Sequence, residues 1–91
     1  MEWNFRNDQP IYSQLTQRLT EAIVSGIYAP GEKLPSVRDL AVEAGVNPNT
    51  VQRALTELER EGLVFSQRTA GRFVTENENM ITNAKLRIAD E

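Results

Sequence analysis

Val46 to Leu63, VNPNTVQRALTELEREGL, reads as one helix with both ends marked. Asn47 is a good N-cap, because its side-chain oxygen can accept from an orphan backbone N–H of the first turn. Pro48 fits the first helical position, where its missing N–H costs nothing. Gly62 stops the helix by taking up the left-handed conformation that other residues avoid. Val51, Ala54, Leu55 and Leu58 fall at i, i+3, i+4 and i+7, a single apolar stripe. Asn49, Gln52, Arg53, Thr56 and Arg60 project from the opposite side. Amides, a hydroxyl and a guanidinium are the groups that pair with base edges, so this face is built to touch something polar.

Working outward, Ser36 follows Pro35 and is a natural N-cap, with Asp39 three residues on as a weak capping box. Val37, Leu40, Ala41 and Ala44 give a second, shorter helix that ends at Gly45. Arg38 lies off its apolar stripe. Two helices joined by a tight glycine-containing turn are a helix-turn-helix by sequence. On the other side, Leu63-Val64-Phe65 and Arg72-Phe73-Val74 read as strands around a polar hairpin loop, Ser66 to Gly71. A hairpin with Arg68 and Arg72 directly after a helix-turn-helix has the order of a winged helix, and arginine suits a narrow minor groove.

Upstream, Pro10 opens a helix to about Ser25, with Ile11, Tyr12, Leu15, Leu19, Ala22 and Ile23 on its apolar face and Gly26 as its stop. Lys33-Leu34 suits a brief strand. Residues 1–9 alternate Trp3 and Phe5 with polar neighbours, as an extended arm whose aromatics cover a core edge or a subunit contact. The expected fold is mainly α with a small β-hairpin (α+β): a winged helix-turn-helix of three helices plus wing over residues 10–75. Residues 76–91 form a linker and the start of a C-terminal helix. Met80, Ile81, Ala84 and Ile88 give that tail a faint stripe that breaks off at Glu91, as in a dimerisation helix completed by a longer chain.

Ninety-one residues suffice for one modest core. Neither cysteine nor histidine is present, which removes disulfides, thiolate and imidazole metal ligands and the commonest nucleophile–base pairs. No catalytic site, metal or cofactor is expected. No apolar run approaches the roughly 20 residues of a membrane helix, and residues 1–10 are not laid out as a signal peptide, so the expected location is cytoplasmic. The net charge of −3 is unusual for a nucleic-acid binder. Residues 33–74 carry six basic against five acidic groups, however, and residues 75–91 hold two against four. The acidity thus lies partly outside the candidate contact surface.

The run PIYSQLTQRLTEAIVSGIYAPGEKLPSVRDLAVEAGVNPNTVQRALTELEREGL, closed by GRFV, resembles the DNA-binding domain of GntR-family bacterial transcription regulators. The LPS-x-R-x-LA segment, the TV…AL…LE-x-EGL run and the final FV together are highly specific. Asn-Pro-Asn-Thr-Val with a short tail is most similar to the YtrA subfamily, whose members are dimeric regulators with a brief helical C-terminal region. The resemblance implies that Arg38 reaches DNA from the second helix. It also implies that Asn49 and Thr50 touch bases and phosphate, and that Gly71 lets backbone enter the minor groove. Pro48 and Gln52 stand where arginines are frequent in the family, and Thr69 where the wing's first glycine is usual. Base preference should therefore differ from that of the arginine-bearing branches.

The DNA-facing set comprises Ser36, Arg38, Asn47, Asn49, Thr50, Gln52, Arg53, Arg68, Thr69, Gly71 and Arg72. The recognition helix, 48–61, is expected in the major groove and the wing, 66–72, near the minor groove of an inverted-repeat operator. The expected regulator is a repressor acting as a homodimer, one that is weak without DNA if the chain ends at Glu91; the residues themselves do not distinguish repression from activation. Glu57, Glu59 and Glu61 read as a solvated face turned from the phosphates. The alternative is a winged helix used as a protein–protein module. That would call for apolar or aromatic anchors on the outward face of 48–61, where the residues are polar.

Overall fold

The computed structural model describes residues 3–89. Four helices and one hairpin follow in the order α1 (Ile11–Val24), α2 (Val37–Ala44), α3 (Pro48–Arg60), β1 (Val64–Gln67), β2 (Gly71–Val74) and α4 (Glu78–Ala89). It is the α+β winged-helix architecture that the sequence implies, with a fourth helix formed from the tail.

Local chemistry sets the helix ends. The Ser36 hydroxyl accepts from the Asp39 N–H at 3.1 Å, and the Asn47 amide oxygen accepts from the Asn49 N–H at 2.8 Å. Past α3, the Leu63 N–H donates to the Leu58 carbonyl and the Gly62 N–H to Glu59, both at 3.0 Å, with Gly62 at φ +81°. That 6→1 and 5→2 pair turns the chain sharply and delivers buried Leu63 back into the core. The helix stop and the start of the wing are therefore one feature.

The core joins Leu15, Leu19 and Ile23 of α1 to Leu40 of α2, Val51, Leu55 and Leu58 of α3, and Leu63, Val64 and Val74 at the wing root. α3 packs on both α1 and α2, and α1 also supports α4. Burying the apolar stripe of α3 forces its opposite face outward.

The wing is an antiparallel pair in the register Val64↔Val74, Phe65↔Phe73, Ser66↔Arg72 and Gln67↔Gly71. The ladder runs further than the sequence suggests, leaving residues 68–70 as the loop, with Ala70 N–H donating to the Gln67 carbonyl at 3.1 Å. Residues 31–34 flank the other edge of β2 through a Lys33↔Phe73 bridge and the Leu34 N–H to Arg72 carbonyl bond at 2.8 Å. The brief strand expected at Lys33-Leu34 is this bridge.

Two peripheral segments complete the core. Trp3 and Phe5 pack against its edge, and the arm is held by the buried amide of Gln14. That amide accepts from the Arg6 N–H at 2.6 Å and donates to the Arg6 and Gln9 carbonyls at 2.7 and 3.0 Å. At the other end, the stripe of the tail is not left open. Ala84 is buried and Ile81 packs against the core, while Met80 and Leu86 stay exposed.

Candidate nucleic-acid interface

α3 presents Asn49, Gln52, Arg53 and Thr56 to solvent, with Thr50 half-buried at its first turn. Capping by Asn47 fixes the first turn of α3, so Asn49 starts from a defined backbone position. Arg53 is held as well. Its guanidinium lies over the Tyr12 ring, 3.6 Å from the centroid, a cation–π contact that extends the side chain along the protein surface. Tyr12 was expected on the apolar face of α1; it is half-buried, with its ring supporting the recognition helix. Thr56 bonds back to the Gln52 carbonyl at 2.9 Å, so its hydroxyl proton is committed within the helix.

Ser36 and Arg38, at the start of α2, are both exposed. A groove between the loop end of the wing and the start of α2 is lined by Ser36, Gly71 and Lys33, with Asp39 also on its wall. Lys33 was not among the sequence-derived candidates. It is exposed, and its Cε lies 3.2 Å from where a Cβ on Gly71 would be. Gly71 has φ +104°, so a side chain there would face both backbone strain and the lysine stem. The signal for Lys33 was present in the sequence as a basic residue directly before the LPS turn.

Within the wing the two arginines differ. Arg68 and Thr69 are exposed in the loop. Arg72, expected beside them as a DNA-facing group, turns inward, and its Nε donates to Glu59 Oε1 at 2.6 Å. The Ser66 hydroxyl donates to the same oxygen at 2.5 Å. The Ser66 hydrogen bond holds the Glu59 carboxyl below the usual carboxylate range; partial burial opposes this, and the Arg72 bond and charge reinforce it. The glutamates are thus not a uniform solvated face. Glu57 pairs with Arg60, Glu59 fastens the wing, and all three are half-buried.

The result is a polar surface with Arg38, Asn49, Gln52 and Arg68 bound by no side-chain hydrogen bond or ion pair among the described residues. Among the same residues, no group of three or more His, Cys, Asp or Glu could hold a metal ion, and no helix is long and apolar enough to cross a membrane.

Comparison with known proteins agrees with this geometry. Residues 11–74 match the family described as "Bacterial regulatory proteins, gntR family". The chain is 37% identical over 91 residues to the uncharacterized HTH-type transcriptional regulator YhcF of Bacillus subtilis, spanning 100% of this chain and 75% of that protein. It is 49% identical over 72 residues to the HTH-type transcriptional repressor YtrA of the same organism, covering 79% of this chain but only 55% of the repressor. A GntR family transcriptional regulator from Listeria monocytogenes superposes with a TM-score of 0.91 at 40% identity, over 94% of this chain and 75% of that one. The DNA-binding domain of AraR, solved in complex with operator ORX1, gives a TM-score of 0.71 at 26% identity, over 82% of this chain and 92% of that one. With its capped recognition helix, its wing and these relatives, the chain belongs to the gntR family of bacterial regulatory proteins and carries that family's winged-helix DNA-binding domain.

Proposed function

We propose that this chain represses transcription in the bacterial cytoplasm by laying α3 in the major groove of an operator and the wing against the adjacent minor groove. One observation carries the reading. The exposed face of α3 offers two unencumbered amides, Asn49 and Gln52, at the end of the helix fixed by the Asn47 cap. Asparagine and glutamine can bond adenine N6 and N7 bidentately, and the N-terminal residues of a recognition helix are those that meet base edges. Around them Arg38, Arg53, Lys33 and Arg68 supply charge for phosphates, with Ser36, Asn47 and Thr50 as neutral donors. Thr69 and Gly71 give the wing a slim edge.

One recognition helix covers only a short half-site, so genome-scale discrimination calls for two protomers on an inverted repeat. α4, whose Leu86 is 58% exposed, is the element assigned to that pairing. The association is weak without DNA, because most of the α4 stripe already packs on its own chain.

Selection of bound sequences from random duplex DNA tests the proposal. An enriched inverted repeat, bound by two chains on sedimentation, is the expected outcome. No enrichment would end the operator reading, and one chain per palindrome at saturation would end the two-fold arrangement.

A further inference from the structure

Ser66 and Arg72 face each other on one rung of the hairpin and converge on a single oxygen of Glu59, in the last turn of α3. One carboxylate thus ties both wing strands to the recognition helix. It is the only side-chain polar link between α3 and the two strands among the described residues. The rung nearer the core, Val64↔Val74, is buried and apolar. Apolar burial at the root is non-directional, and the backbone bonds from residues 31–34 tie β2 to that segment rather than to α3, so neither fixes directly the wing's angle to the recognition helix. Hydrogen bonds at 2.5 and 2.6 Å are directional and do fix it.

We propose that Glu59 is a positioning residue for the wing: through Ser66 and Arg72 it sets the angle between the hairpin and α3, and so which base pairs Arg68 and Gly71 reach. Arg72 acts inside this fastening and does not contact DNA. The inference rests on the DNA-binding reading above. Strand alternation supports it, since Arg72 shares a face with core-buried Val74, whereas Arg68 stands in the exposed loop beyond the last rung.

The test uses the full chain as wild type, Glu59→Gln and Arg72→Gln. Affinity for the selected duplex and for random duplex is measured against salt, with hydroxyl-radical footprinting of the minor groove. Both variants should lower the ratio of specific to random affinity about tenfold, the discrimination carried by roughly one base pair. Both should lose protection on the wing side while keeping protection by α3. Released Arg72 offsets the lost Arg68 contact in Glu59→Gln but not in Arg72→Gln, so the salt slope should be shallower by about 0.9 in Arg72→Gln than in Glu59→Gln. The inference is overturned if Arg72→Gln weakens both duplexes equally and flattens the slope with an unchanged footprint, because Arg72 is then a direct phosphate contact. It is also overturned if Glu59→Gln leaves ratio and footprint unaltered. A wild-type chain that binds no duplex overturns the DNA-binding reading and this inference together, which separates the two kinds of failure.

Discussion

Salt titration turns the ion pairs of this surface into a number. Residues 33–74 contain six basic side chains, but Arg60 is paired with Glu57 and Arg72 with Glu59. Lys33, Arg38, Arg53 and Arg68 remain to neutralise phosphates. Each neutralised phosphate releases condensed counterion, so four contacts give a slope of log K against log salt of about −3.6 per protomer. Between about 50 and 200 mM salt, affinity should fall about 150-fold for each protomer engaged. Fluorescence anisotropy on a labelled half-site duplex would measure it. Arg38→Gln should bring the slope to about −2.7 without shifting the unfolding midpoint, since Arg38 is exposed and off the apolar stripe. A slope steeper than about −5 would refute the reasoning, because Arg60 and Arg72 would then have left their glutamates for DNA. A flat response would mean that phosphates are not contacted and would favour a protein partner.

Asn49→Ala should remove about 1–3 kcal/mol of discrimination at one base position, read by binding to single-substituted duplexes, while random-sequence affinity holds. Leu55→Ala, at a fully buried position, should destabilise the fold by about 2–5 kcal/mol in urea unfolding and leave the DNA-facing groups untouched. For Glu59 the folded pKa is lowered, so its contribution to stability is complete above the unfolded value of about 4.3 and is lost as pH falls through the folded value. Wild type should therefore lose stability relative to Glu59→Gln on acidification below that range, and parallel pH–stability curves would contradict it.

Features set by neighbours in the chain were legible in advance. The Asn47 and Ser36 caps, the Gly45 and Gly62 stops and the apolar stripe of α3 each depend on residues within one or two turns. Contacts between distant elements were not legible in the same way. Nothing in the order of residues announces that Tyr12 would lie under Arg53, because the crossing of α1 and α3 decides it. The inward turn of Arg72 could have been read from strand alternation, since Val74 is plainly a core residue two positions away. The first strand is what conceals it: ended at Phe65, it leaves Ser66 in the loop, and the Ser66↔Arg72 rung is tied to a helix residue outside the hairpin. The packing of the tail on α1 is hidden for a related reason. Its stripe is thin, and the α1 surface beneath it includes Ser13, Thr16 and Thr20, which give no apolar signal of a partner.

The arm supplies the domain with an optical reporter of a particular kind. Trp3 is the only tryptophan in the chain, and its indole N–H donates to Glu43 of α2 at 3.2 Å. Its emission therefore senses whether the N-terminal segment is docked, whereas far-ultraviolet dichroism senses the helices themselves. If the segment leaves before the helices melt, the two signals will transition at different denaturant concentrations. Coincident curves would instead identify the arm as part of the same cooperative unit.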